Sequence, residues 1–113
     1  MNKLQILKSA KEVLTIESKA INDLAKSLDD DFFKAVKSIE NLKGKLIISG
    51  VGKSGNIASK IAASFTSTGI PSVFLNPVDA SHGDMGIVRA EDILIVLSNS
   101  GAVSYTHLRA HET

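Results

Sequence analysis

Three continuous apolar runs constrain this chain more than any other feature: Lys45–Ser49 (KLIIS), Pro71–Leu75 (PSVFL) and Asp92–Leu97 (DILIVL). A strand that is apolar at every position, not at every second one, has no face to give to water. It belongs in a sheet covered on both sides. Between the first two runs, Asn56–Thr68 carries Ile57, Ile61, Ala62 and Phe65 at helical spacing and closes at Gly69. A helix between two such strands makes them parallel neighbours. Asn76–Gly86, rich in small and polar residues, reads as a loop or short helix. The expected fold class is therefore α/β: a three-layer α/β/α parallel sheet.

Two helices are expected ahead of the sheet, over residues 1–44. Leu7, Ala10, Leu14, Glu17, Ile21, Leu24 and Leu28 step by three and four, one face of a helix over about 3–27. Asp29–Asp31 is an acidic start for a second helix, favourable at the positive end of its dipole. Phe32, Phe33, Val36, Ile39 and Leu42 follow at helical spacing, and Lys43-Gly44 supplies a basic residue and a glycine stop. Glu17 lies on the apolar seam, and a carboxylate buried there needs a partner, from the backbone or from a neighbouring subunit. Its role is read as structural. The chain has thirteen basic against twelve acidic side chains, and both signs are interspersed along Lys3–Lys45, which leaves no basic stripe for nucleic acid. Polar residues interrupt the N-terminal apolar run too often for a signal peptide, and no run is long enough to span a membrane. With no cysteine there is neither a disulfide framework nor a thiolate metal site, which fits a cytoplasmic protein.

The chemistry concentrates in Ser49–Gly55 (SGVGKSG), between the first strand and its helix. Gly50, Gly52 and Gly55 match G-x-G-x-x-G. A dinucleotide fold wants an acidic residue at the end of the second strand to hold the ribose. That place is Asn76, with Asp79 three residues on. A Walker loop ending in Gly52-Lys53-Ser54 wants a glycine at position 47, which is Ile47. A monophosphate cradle fits best. Backbone N–H groups of Gly52–Gly55 would face an anion at the start of a helix, with Ser54 as a hydroxyl donor and Lys53 as a mobile cation. The plainer alternative is a tight turn that needs glycine. A second polar loop, Ser98-Asn99-Ser100-Gly101, follows the third strand. Loops at the carboxyl ends of parallel strands converge on one crevice, so Ser54, Ser98 and Ser100 can meet around one phosphate.

Val103–Thr113 (VSYTHLRAHET) breaks the pattern, because the S-N-S-G turn should open a helix. The string resembles one reading frame of a transposon-type sequencing adapter, and segments of that kind are set aside in fold reasoning. His107 and His111, at i and i+4 beside Glu112, mimic a metal pair and are read as part of that tail. The expected division is a helical segment 1–44, an incomplete α/β domain 45–102 and a non-native tail 103–113. In that reading the gene continued and the domain is truncated. Three strands with their helices then leave one sheet edge and one face uncovered.

In order and spacing, several segments together resemble the sugar isomerase (SIS) domain family, and more narrowly arabinose-5-phosphate isomerases of the KpsF/GutQ type. They are the long first helix with Glu17, Gly50–Pro77 (GVGKSGNIASKIAASFTSTGIPSVFLNP), Ala80–Val88 (ASHGDMGIV) and Leu97–Gly101 (LSNSG). The resemblance covers residues 1–101. It implies a flavodoxin-like sheet and an aldose–ketose isomerase that interconverts D-ribulose 5-phosphate and D-arabinose 5-phosphate for Kdo and lipopolysaccharide synthesis. It further implies a homo-oligomer, tetrameric in the intact parent, and no organic cofactor. By position, Ser54, Ser98 and Ser100 hold the phosphate, with Gly52, Gly55, Asn99 and Gly101 in the same two loops. Lys53 contacts substrate and stabilises enediolate charge. His82, in Ser81-His82-Gly83-Asp84, faces substrate and is where a divalent metal can bind; Asp84 orients the loop. The family's acidic residue just past S-N-S-G and a later histidine are missing, as are the paired CBS domains. The 113-residue chain is thus expected to bind without turning over. A sugar-phosphate-binding module without catalysis is the competing reading.

Overall fold

A computed structural model describes residues 1–81 and 83–98, and the chain divides into two compact units, Met1–Lys37 and Ser38–Thr113. In the first unit, α1 (Lys3–Ser27) opens on a reciprocal cap. Gln5 N–H donates to Asn2 Oδ1 at 2.8 Å, and Asn2 N–H donates to Gln5 Oε1 at 2.9 Å. Every residue of α1 is exposed within its own unit, Glu17 included, and the stripe read from the sequence runs along the helix. α2 (Asp30–Glu40) starts as its acidic residues suggest: Asp29 Oδ1 accepts the Asp31 N–H at 3.0 Å. It ends at Glu40, before the expected Lys43-Gly44 stop, because Leu42 N–H turns back to the Ile39 carbonyl at 3.1 Å.

The second unit carries a three-stranded parallel sheet in the order β2 (Ser72–Leu75), β1 (Leu46–Gly50), β3 (Ile93–Leu97). β1 is central and wholly buried, as its unbroken apolar run requires. Its side chains alternate between two cores. Leu46 and Ile48 pack with Ala58 and Ala62 of α3 (Lys53–Ser67) and are joined by Ile39 and Leu42. Ile47 faces the other way, with Leu75 of β2 and with Ala80 of the short helix α4 (Pro77–Ser81). Each such large side chain contributes roughly 1.5–3 kcal/mol on burial. Of the expected α3 face, Ala62 is buried and Ile61 and Phe65 pack against the same core. Ile57 departs from it, at 56% exposed, while Gly55 and Ala58 are buried in addition. Small residues let the helix lie close on β1, and that proximity outranks side-chain hydrophobicity. α3 ends in a Schellman turn: Ile70 N–H reaches the Phe65 carbonyl at 3.0 Å, and Gly69 N–H the Thr66 carbonyl at 3.1 Å, with Gly69 at φ 93°.

Asp92 stitches the amino ends of β1 and β3. Its side chain is 3% exposed and lies 2.7 Å from Lys45 Nζ; it also accepts N–H bonds from Lys45 (2.9 Å) and Arg89 (2.8 Å). Lys45 Nζ donates in addition to the Ile87 carbonyl, at the end of a 3-10 turn over Asp84–Ile87. Gly44 makes room for this carboxylate, since a Cβ there would collide with Asp92 Oδ1. Its glycine therefore serves the sheet rather than a helix stop. Burial alone would raise the Asp92 pKa, but the Lys45 ammonium and the two backbone donors outweigh it and lower the pKa below the ordinary aspartate value. The folded pKa is below the unfolded one, so the stabilisation is complete above about pH 4 and is lost as pH falls through the folded value. Asp92→Ala is expected to cost about 2 kcal/mol at pH 7. In urea unfolding, the gap between variant and wild type should narrow towards about pH 2.

Candidate functional site

Every sheet partner of β1 is parallel, so the three strands deliver their following residues to one edge. The register sets Ser49 beside Leu75 and Gly50 beside Leu97. The β1–α3 turn, Asn76 after β2 and Ser98 after β3 thus lie along the same carboxyl end, where ligands of open α/β sheets bind. His82, Asn99, Ser100 and Gly101 lie outside the described residues, as does the 103–113 segment with His107, His111 and Glu112.

The turn itself is shorter than expected. α3 begins at Lys53, so Gly52 is its N-cap and Lys53, Ser54 and Gly55 form its first turn. Asn56 N–H donates to the Gly52 carbonyl at 3.1 Å, and Gly55 N–H to the Val51 carbonyl at 3.3 Å. Of the four amides expected to face an anion, the Gly55 one is therefore engaged within the turn. The Lys53 and Ser54 N–H groups have no acceptor inside the helix and sit at its positive end. Lys53 is exposed and Ser54 half-buried. Ser49, included in the loop by its sequence, is instead a buried strand residue whose hydroxyl donates to the Leu75 carbonyl.

The three glycines have separate causes. Gly52 adopts φ 60°, ψ −127°, which penalises any side chain. Gly50 and Gly55 are in backbone contact: a Cβ on Gly55 would lie 2.7 Å from the Gly50 carbonyl oxygen, and one on Gly50 2.8 Å from the Ser54 carbonyl. The turn thus accounts for the glycine pattern, and Lys53 and Ser54 are the residues of the loop that it does not require. Asn76, in the place of the ribose acid, spends its side chain on the following helix, with Oδ1 accepting the Val78 N–H at 2.9 Å. Sequence reading missed the Asp92–Lys45 anchor, which lies at the opposite end of the strands; its only trace is an acid just ahead of an apolar run. Gly55→Ala is expected to destabilise the fold by about 1–3 kcal/mol through overpacking, despite the higher helix propensity of Ala. Chemical denaturation checks this, and a stabilised variant would refute the close approach.

Among known proteins, the SIS domain family model matches residues 39–111. The chain is 42% identical over 101 residues to arabinose 5-phosphate isomerase KdsD of Pseudomonas aeruginosa, covering 89% of this chain and 31% of that protein. The chain thus spans under a third of the length of that relative. An Escherichia coli CFT073 protein solved in complex with arabinose 5-phosphate superposes with a TM-score of 0.83 at 38% identity, over 97% of this chain and 57% of that one. A Bacteroides fragilis structure described as a phosphosugar isomerase involved in capsule formation gives 0.85 at 43% identity, over 95% and 57%. The match to the family model and the shared parallel sheet give one answer: this chain belongs to the SIS domain family.

Proposed function

We propose that the whole protein to which this chain belongs is an aldose–ketose isomerase that interconverts D-ribulose 5-phosphate and D-arabinose 5-phosphate, supplying Kdo for lipopolysaccharide in the cytoplasm. The observation that carries this reading is the first turn of α3. It presents Lys53 and Ser54 at the carboxyl edge of the sheet, in a chain whose structural relative holds arabinose 5-phosphate. In this reading the outward amides of that turn and the Ser54 hydroxyl take the phosphate, and Ser98, Asn99, Ser100 and Gly101 close on it from the end of β3. Anchoring the phosphate leaves C1 and C2 of the sugar fixed relative to the protein. A base then moves one proton between these two carbons through a cis-enediolate, whose negative charge Lys53 offsets, while a second proton passes between O1 and O2. The reaction is an internal transfer and consumes no redox cofactor.

His82 is the proposed substrate-facing histidine. It is also where a divalent metal is proposed to bind; among the described residues, which do not include His82, no three His, Cys, Asp or Glu side chains are grouped to hold one. No helix of the described residues is long and apolar enough to cross a membrane. The protein is further proposed to act as a homo-oligomer.

Calorimetric titration of the 113-residue chain with D-arabinose 5-phosphate is expected to show binding without turnover. Ser54→Ala should weaken that binding by about tenfold or more, the effect of one hydrogen bond to a charged group. Tight binding of NAD instead would replace the isomerase reading with a nucleotide one. Failure of the whole protein to convert ribulose 5-phosphate would leave only a binding module.

A further inference from the structure

The connection from the carboxyl end of β2 to the amino end of β3 is held at both ends, and His82 falls between the two holds. At the near end the Asn76 carbonyl accepts the Ala80 N–H at 2.9 Å, and Ala80 is buried with Ile47 and Leu75. Past His82, Gly83 N–H donates back to the Ala80 carbonyl at 3.4 Å, and Gly86 N–H donates to the Gly83 carbonyl at 3.2 Å. The backbone on either side of His82 is thus linked from α4 into the 3-10 turn Asp84–Ile87.

At the far end the ties come from charged side chains. Lys45 Nζ donates to the Ile87 carbonyl, and the Arg89 guanidinium donates to the Gly86 carbonyl. Asp92 fixes both donors. Its carboxylate lies 2.7 Å from Lys45 Nζ and accepts the Arg89 N–H at 2.8 Å, while Asp92 N–H returns to the Arg89 carbonyl at 3.1 Å. Joining β1 to β3 does not require the bonds to Gly86 and Ile87, because the two strands pair directly along their length. Apolar burial does not hold the turn either: Gly83, Gly86 and Ile87 are exposed, and Val88 is where the connection rejoins the core. Two cations on adjacent carbonyls, each making a charge-assisted bond, fix where an exposed turn sits.

We propose that Lys45, Asp92 and Arg89 are positioning residues for the isomerisation: from the amino end of the sheet they hold the turn that follows His82 and so set the place of that histidine at the sugar. The inference rests on the reading of His82 as substrate-facing.

Kinetics and proteolysis of the whole protein test it. Lys45→Met keeps the aliphatic stem and removes the ammonium. It should lower kcat for ribulose 5-phosphate by roughly tenfold or more, as misplacement of a catalytic group does, with KM within about twofold because the phosphate site is untouched. Equilibrium dialysis should still find the wild-type amount of D-arabinose 5-phosphate bound per chain, which a partly unfolded sample would not keep. Arg89→Met leaves the buried ion pair intact and cuts only the tie to Gly86, so it should show the same split in smaller measure even where Lys45→Met fails to fold. Trypsin should cut after Arg89 about tenfold faster in Lys45→Met, as the population of the opened turn rises. An unchanged kcat in the folded variants, a fall in kcat matched by a fall in bound sugar phosphate, or an unchanged rate of cleavage would overturn the proposal. A wild type idle on ribulose 5-phosphate sinks the isomerase reading instead, and the trypsin rates then decide the hold on the turn by themselves.

Discussion

Two backbones touch where β1 ends and α3 begins, and the arrangement of the carboxyl edge depends on that contact. Gly50 and Gly55 approach so closely that neither can carry a Cβ without displacing main chain opposite it. The consequence is a turn of only Val51 and Gly52 and a helix that starts directly above the strand end. Ala58 and Ala62 continue the same close packing along α3. The amides of the helix start are thereby held at the edge of a rigid, fully buried strand, where an anion gains most from preorganised donors.

The sheet divides its work between its ends. At the amino ends, Asp92 draws together Lys45, the Arg89 backbone and the space left by Gly44, and these donors are spent on the carboxylate. At the carboxyl ends, polar residues gather along one edge: the first turn of α3, Asn76 and Ser98. Buried charge satisfied at one end fixes the strand register, and the register in turn decides which loops share the open end.

The parallel sheet is legible in the sequence because three unbroken apolar runs are separated by a helix and loops; which of them is central is not, since β1 is wholly buried while the equally apolar β2 and β3 are half-buried edges. The strand limits differ by a single residue, and α1 spans the range its periodicity predicts. The errors share a physical origin. Apolar periodicity places Ile57 inward and passes over Ala58, because periodicity counts hydrophobicity whereas close helix–sheet packing selects small size. The glycine at 44 looks like a helix stop, since its true reason, a carboxylate far along the chain at Asp92, has no local signal. The start of α3 falls earlier than its apolar pattern suggests, because Gly52–Gly55 reads as loop until the Gly50 contact is known. Glu17 looks like a buried carboxylate on a seam. The seam exists as a stripe along α1, and its own unit does not bury it.

The central claim is that the first turn of α3 receives the phosphate of a sugar. Its most direct test is a ¹⁵N–¹H titration of the chain with D-arabinose 5-phosphate, resolved by residue. The account predicts that the amides of Gly52, Lys53 and Ser54 shift first and furthest, while those of Lys45 and Arg89 at the opposite end stay in place. Largest shifts along α1 or around Asp92, with the α3 amides unmoved, would contradict it.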